Sequence, residues 1–449
     1  MKSFFLRLVL VTLSTATLSP AAENIEMVSE IGSERATSGA GAKIATFEGK
    51  THVVWQDRDD EGGYLNRVRT LDRASGKWTG PVTLNRGKDN HARPVLTVGE
   101  NGILHVVLSG HNSPVTYRHS LRPNDSSEWS PPETIGHGTY PAVACGADGR
   151  LVVTMRSAPK WNGVDCYIKD PGEPWKLSRK IFIRDPKLPG YAGYQTGLAW
   201  GPDRRTLHFV ADFYESIETY RLRGVHQAVC YLRSPDGGIS WEKADGTKVE
   251  PQARPEHMDI IVRSEGDRGQ KLPPPWILAQ GSIVCDAKGT PHVFYISHLE
   301  KPGQALVASP DGRGRWNSRE IDAIEKAEPG YRPAGCRGSW SIDSEGGMHA
   351  LLELHSLESG WTDDGKPTRS LMFATEGKKL VWLTSPDGKN FSVLPALPAN
   401  RSFNEQNVER PTGFNLPGKG RPPFLFFDGE SRYPKGKEIL QNGVFLVLP

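Results

Sequence analysis

Short apolar runs rich in Val, Ile, Leu and aromatic residues recur along the chain, each bounded by Gly, Pro, Asn or Asp, and no long stretch shows a helical amphipathic period. A turn followed by an apolar run appears at Thr51–Trp55, Leu104–Leu108, Leu151–Met155, Leu207–Ala211, Pro291–Tyr295, Met348–Leu352 and Phe424–Phe427, which makes seven copies. Ser234-Pro235-Asp236-Gly237-Gly238-Ile239-Ser240-Trp241 is a full Asp-box turn, and Ser309–Gly312 with Trp316 and Ser385–Gly388 with Phe391 are degenerate copies. In such turns the Asp and Ser cap backbone N–H groups and the aromatic packs between sheets, so these residues are structural. The pattern predicts an all-β chain: a seven-bladed β-propeller of four-stranded antiparallel blades. An early strand near Ile25 to Ile31 is expected to complete the last blade beside Gly443–Leu448 and so hide the open edges.

Composition agrees with that picture: the 449 residues include 48 Gly and 35 Pro, which suit many short strands joined by turns. Residues 1–22 carry Lys2 and Arg7 around an apolar run, with small residues at Ala21 and Ala22, and read as an export signal. Residues 23–449 are then one exported, monomeric propeller domain with no membrane span. A net charge of +3, without basic and aromatic residues clustered together, argues against nucleic acid as a partner. Five cysteines, at 145, 166, 230, 285 and 336, leave at least one free thiol; small apolar fillers are the expectation, with a Cys145–Cys166 bridge as an open alternative.

Candidate chemistry comes from the open ends of the inner hairpins. Folding the second copy about Asn101-Gly102, a pair suited to positive φ, sets His91 opposite residue 110 and brings His91 and His111 to one end. The same construction sets Tyr140 opposite Arg156 and Tyr194 beside Phe213 and Tyr214, with Arg221, Arg223 and His226 following. Tyr295, His298, Arg337, His355, Glu409, Arg410 and Asp428 complete the expected rim. His52, His105, His208, His292 and His349 share one repeated strand position and are expected to be structural. A rim rich in His, Tyr and Arg, without an Asp/Glu pair, suits β-elimination from a uronate better than two-carboxyl glycoside hydrolysis.

Several segments resemble BNR-repeat propeller enzymes. They are Asn90-His91-Ala92-Arg93-Pro94, Ser109-Gly110-His111-Asn112-Ser113-Pro114, Ser120–Asp125 with Trp129, Gly138-Thr139-Tyr140-Pro141, Gly193-Tyr194-Gln195 and Leu198–Asp203 with Thr206-Leu207-His208. The branch they resemble contains L-rhamnosyl-α-1,4-D-glucuronate lyases and related α-L-rhamnosidases; ulvan lyases are similar at a greater distance. The resemblance implies a lyase that removes terminal L-rhamnose from D-glucuronate on arabinogalactan-type glycans. An α-L-rhamnosidase and a non-catalytic propeller that binds acidic glycans are the alternatives. It also implies a catalytic centre of His91, His111, Tyr140 and Arg156, with Tyr194, Tyr214, Arg223, Arg337 and Arg410 as substrate contacts. Tyr214 stands where ulvan lyases tend to carry Arg, which disfavours ulvan itself as substrate. No cofactor is required; some propellers of this type hold calcium or another divalent ion, and no compact motif here locates its ligands.

Overall fold

Period-two runs of β-branched and aromatic residues make strands when their alternate side chains can be buried, and this chain buries them on both faces. The computed structural model describes residues 24–91, 93–158, 162–216, 224–264, 277–358, 377–398, 400–415, 417–432 and 434–448. They form antiparallel strands, and the α-helix among them is the short Ala323–Ala327. None of their helices is long and apolar enough to cross a membrane. The expected export signal, Arg221 and Arg223 lie outside the described residues.

Hydrogen bonding groups the described strands into five sheets of nine, seven, six, five and five strands, not seven separate four-stranded sheets. Backbone continuity is the reason. The 13-residue strand Glu133–Cys145 pairs with Ser113–His119 through Glu133 to Gly138, then with Leu151–Ser157 through Gly138 to Cys145. Asn24–Gly32 pairs along Asn442–Leu448, from Asn24↔Leu448 to Gly32↔Asn442, and touches Lys50–Arg58 at Gly32↔Asp57. The first strand thus joins the last, as the early apolar run predicts.

Between the inner hairpins the apolar core of the described residues divides into seven clusters. Each draws on successive copies of the repeat: Val54 and Val68 meet Leu96 and Val106, Val210 and Tyr231 meet Val293 and Tyr295, and Trp55 meets Leu425, Phe427 and Val444. The last of these links the end of the chain to its beginning. The Asp-box behaves as its residue types require: Asp236 accepts from the backbone N–H of Ile239 and Ser240, and Trp241 packs edge-on against Phe209. The repeated histidines are structural, since His52, His105, His208, His292 and His349 each turn Nδ1 to a hydroxyl on the next strand, at 2.7–2.8 Å. All five cysteines are free thiols, so the Cys145–Cys166 alternative falls; only Cys285 is not fully buried.

The centre is filled by the segment that follows the first strand. Residues 33–38 and 41–45 are buried, and polar groups from several inner strands satisfy its backbone. Asn407 Nδ2 donates to the carbonyls of Gly39 (3.0 Å) and Gly41 (3.1 Å), Arg410 donates to Ala40, and Lys43 Nζ donates to Pro94 (2.7 Å). A Cβ on Gly41 would come within 2.2 Å of a Val95 methyl and 2.8 Å of the Pro141 carbonyl.

Two predictions follow from this packing. Gly41→Ala should lower stability by about 1–3 kcal/mol, read as a lower urea midpoint at unchanged slope, because neither Val95 nor Pro141 has room to yield. Asp212 is buried and accepts from the backbone N–H of Ala279 (3.2 Å) and Gln280 (2.8 Å). Burial outweighs those bonds and the charge of Arg337 and raises its carboxyl to about 7. A folded-state value above the unfolded 3.8 means that the folded protein holds the extra proton, so stability falls as pH rises from about 4 through about 7. The slope from this group is at most about 1.4 kcal/mol per pH unit. Asp212→Asn should flatten that fall in melting experiments across the same range.

Candidate functional site

The hairpin carrying the two histidines pairs Pro94↔Leu108 through Val98↔Leu104. Continued outward, this register sets His91 level with His111, one residue from the expected partner. The turn explains the shift: Gly99 N–H donates to Ile103, Gly102 N–H donates back to Gly99, and Asn101 Oδ1 accepts from Ile103 N. Of Asn101 and Gly102 only the glycine takes positive φ, at 74°, so the connection is longer than a two-residue Asn-Gly turn. The imidazoles still meet. Their ring centroids lie 4.3 Å apart and the planes are inclined by 23°.

Asp89, just before this hairpin, ties the pair together. Its Oδ1 is hydrogen-bonded to His91 Nδ1 and accepts from the His91 backbone N–H at 2.7 Å, while Oδ2 lies 3.1 Å from His111 Nδ1. An ionised carboxylate only accepts, so an imidazole bonded to it through Nδ1 holds a proton there and, in its neutral form, keeps Nε2 as a lone-pair acceptor. Burial opposes ionisation of Asp89, but the bonds from His111 and His91 outweigh it and hold the carboxyl well below its usual range. His91 is lowered to about 4, by burial first and then by the charge of Arg93, against the pull of Asp89. At neutral pH His91 is therefore an uncharged base.

Tyr140 stands on the next copy, 6.1 Å from the His91 ring between centroids. It lies in a bulge: Thr139 pairs with Arg156 and Ala142 with Thr154, so Thr139, not Tyr140, faces Arg156 across the ladder. The bulge puts Tyr140 at φ 58°, a costly conformation for a bulky residue and one that concentrates at functional positions. It also re-aims the ring. The Arg156 guanidinium sits 4.6 Å from the Tyr140 centroid and that of Arg93 5.6 Å from it, giving the phenol a cation on each contact. Arg156 Nη1 donates to the Ala192 carbonyl at 3.2 Å and lies 3.5 Å from the Tyr191 hydroxyl.

The structure thus brings together His91, His111, Tyr140 and Arg156. The expected substrate contacts divide. Tyr214 is half-buried and its ring lies 6.2 Å from that of Tyr191, beside the Arg156 end of the site. Arg337 is half-buried near the central segment, with Nη1 3.4 Å from Ser38 Oγ. Tyr194 does not reach the site: it is 0% exposed, packs edge-on against Phe182 and donates to Glu215 at 2.7 Å. Arg410 is also internal, spending its guanidinium on the carbonyls of Gly281 and Ala40. Of the wider rim, His298 is buried against the Ala334 carbonyl, Glu409 is buried and accepts from Thr46 Oγ1 (2.7 Å) and Asn415 Nδ2 (3.0 Å), and His355 pairs with Glu353 at 2.7 Å.

Asp89, Arg93 and Tyr191 escape the sequence reading because the rim follows residues that stand opposite one another across a hairpin, and these three are not such partners. An Asp two residues before a rim His was the available signal for Asp89. Asp89, His91 and His111 offer three ligand atoms within 4.8 Å of one another. Two imidazoles and one carboxylate suit a transition metal rather than calcium, which wants six or more oxygens.

An ulvan lyase of family PL25 from Pseudoalteromonas sp. (strain PLSV) is 21% identical over 351 residues, 68% of this chain and 69% of that protein. The solved structure of a PL25 ulvan lyase bound to -[GlcA(1-4)Rha3S]- matches at TM-score 0.66 and 15% identity, covering 94% of each chain. The polysaccharide lyase Uly1 matches at TM-score 0.58 and 11% identity, over 94% of this chain and 99% of that one. These similarities show a shared fold. A family model described as BNR repeat-containing family member matches residues 50–324, more than half of the sequence, and the chain belongs to that family.

Proposed function

We propose that this protein is an exported polysaccharide lyase that cleaves a rhamnose–glucuronate linkage by β-elimination, with terminal L-rhamnose on arabinogalactan-type glycans as its leaving group. The scaffold is a seven-bladed ring in which two pairs of blades are fused by continuous backbone; the seven interlocking core clusters and the pairing of first strand with last support it. The observation that carries the reaction is the Asp89–His91–His111 cluster beside Tyr140, with two guanidiniums near the phenol and one carboxylate. The relatives described above are named as lyases, and one is bound to a glucuronate–rhamnose unit.

In this reading an Asp89-anchored imidazole takes the C5 proton of the uronate at Nε2. The electron pair forms the C4=C5 double bond, the C4–O bond breaks, and the departing oxygen takes a proton from the Tyr140 hydroxyl. Charge that builds on the uronate carboxylate as C5 is deprotonated is met by Arg156. The single carboxylate is already engaged by two histidines. Nothing in the cluster supplies the second carboxyl group that an inverting or retaining glycosidase uses.

His91→Ala, His111→Ala and Tyr140→Phe should each lower kcat by about 10²-fold or more on a rhamnose-capped, glucuronate-containing glycan. The measurement is the ultraviolet absorbance of the conjugated unsaturated uronate, with sugar analysis of the product. Free rhamnose without that absorbance would make the protein an α-L-rhamnosidase instead, and binding without turnover would make it a glycan-binding propeller.

Asp89→Asn replaces one of the two acceptor oxygens with an amide donor, so the side chain can no longer fix both tautomers, and should cost about 10²-fold in kcat with KM little changed. With His91 as the base, wild-type kcat/KM stays high as pH falls and is lost only near about 4. A profile falling at the ordinary imidazole value would reassign the base.

A further inference from the structure

The cleft beside His91 and Tyr140 continues inward. Its wall includes Ser38, Lys43, Arg93 and Thr196, so the catalytic cluster opens directly onto the central segment. Two guanidiniums converge there on one hydroxyl: Arg93 Nη1 donates to Ser38 Oγ, and Arg337 Nη1 lies 3.4 Å from the same oxygen. Arg35 and Lys43 stand close by, and both are buried. Among the described residues the carboxylate that faces this group is Glu405, which is hydrogen-bonded to Ser38 and whose Oε1 is 4.0 Å from Arg337 Nη1. Glu34 turns instead to Tyr64 and Asn90, and Asp212 to the backbone of Ala279 and Gln280.

Four cations thus gather around Glu405, with Asp212 near Arg337 but bonded to backbone N–H groups, in a largely buried place, which is costly unless another anion shares it. The titration of the neighbours reports the imbalance. Burial first, then the charges of Arg93 and Arg410, push the Lys43 ammonium well below its usual value. Glu405 is held low by Arg35, Arg337 and Arg93 although burial opposes it.

We propose that Arg93 and Arg337, oriented by the Ser38 hydroxyl between them, form an oxyanion subsite, separate from Asp89–His91–His111 and beside the same cleft, that takes a sulfate or a second carboxylate. Two guanidinium forks, each with donors beyond the one spent on Ser38, match the planar or tetrahedral oxygens of such a group. The source is an acidic substituent on the bound glycan or a free inorganic oxyanion. Only the assignment to the glycan rests on the lyase reading.

Calorimetric titration of the whole protein with sodium sulfate, at ionic strength matched with chloride, tests the site without turnover. Wild type should bind sulfate with a stoichiometry near one, and Arg337→Gln should weaken binding about tenfold or more. Arg337→Lys, which keeps the charge but not the fork, should fall between them, and melting in chloride identifies any variant that fails to fold. No sulfate binding above the chloride control, or equal binding by wild type and a folded Arg337→Gln, overturns the proposal. The source is read from two oligosaccharides that differ by one sulfate near the uronate. A KM about tenfold lower for the sulfated one in wild type, lost in Arg337→Gln, assigns the subsite to the glycan. Equal KM values with sulfate binding intact assign it to a free ion. Failure of both oligosaccharides to react would remove the lyase reading and leave the sulfate result standing.

Discussion

A stretch of polypeptide buried at the centre of a β-structure must have its peptide groups satisfied by whatever surrounds it, and the segment from Ser33 to Lys43 sets that constraint here. Asn407 and Arg410 serve its carbonyls from one side, and the Leu96 N–H donates to Ala42 and the Val54 N–H to Lys43 from others. Its own side chains reach outward: Glu34 accepts from Asn90, the residue between Asp89 and His91, and Ser38 accepts from Arg93. The site is therefore assembled on the central segment as much as on the surrounding sheets. Such an arrangement favours a rigid cluster, because shifting one anchor leaves several buried polar groups unpaired.

Strain and electrostatics are coupled at Tyr140. The bulge that carries it into positive φ is held by the neighbouring strand end, where Thr139 Oγ1 accepts from the backbone N–H of Asn112, itself at φ 52°. Two uncommon conformations thus sit next to His111 and beside His91, locked by one threonine. A phenol placed this way lies between an imidazole pair on one side and guanidiniums on the other. Relaxing the bulge would extend the register of Ala142↔Thr154 outward, set Tyr140 opposite Arg156 on the ladder and so displace the ring from its present position.

Much of this was legible in the chain. Turn chemistry and the repeated apolar runs announced the all-β architecture, the meeting of first and last strands, the structural role of the recurrent histidines and the convergence of His91, His111, Tyr140 and Arg156. What escaped has specific causes. Counting residues across a hairpin assumes a regular ladder, and the five-residue connection at Gly99–Ile103 and the bulge at Tyr140 each break it by one position. Counting also says how far along a strand a residue lies, not which face it takes. That is why Tyr194 was expected at the rim although its side chain enters the core, with Glu215 as a buried partner for its hydroxyl.

Arg410 and Asp89 show the remaining limit from opposite directions. A guanidinium beside a cavity reads as an anion ligand, but inside a packed centre its five donors serve equally well to satisfy carbonyls, and Arg410 is used for Gly281 and Ala40. Asp89 is a half-exposed residue in a connection, with nothing periodic to mark it. Its importance arises only when the hairpin beside it closes and both imidazoles present Nδ1 to the same carboxylate. The chemistry of the cleft thus depends on a contact that no strand pattern encodes: two histidines become a defined acceptor pair because one carboxylate fixes where each of their protons resides.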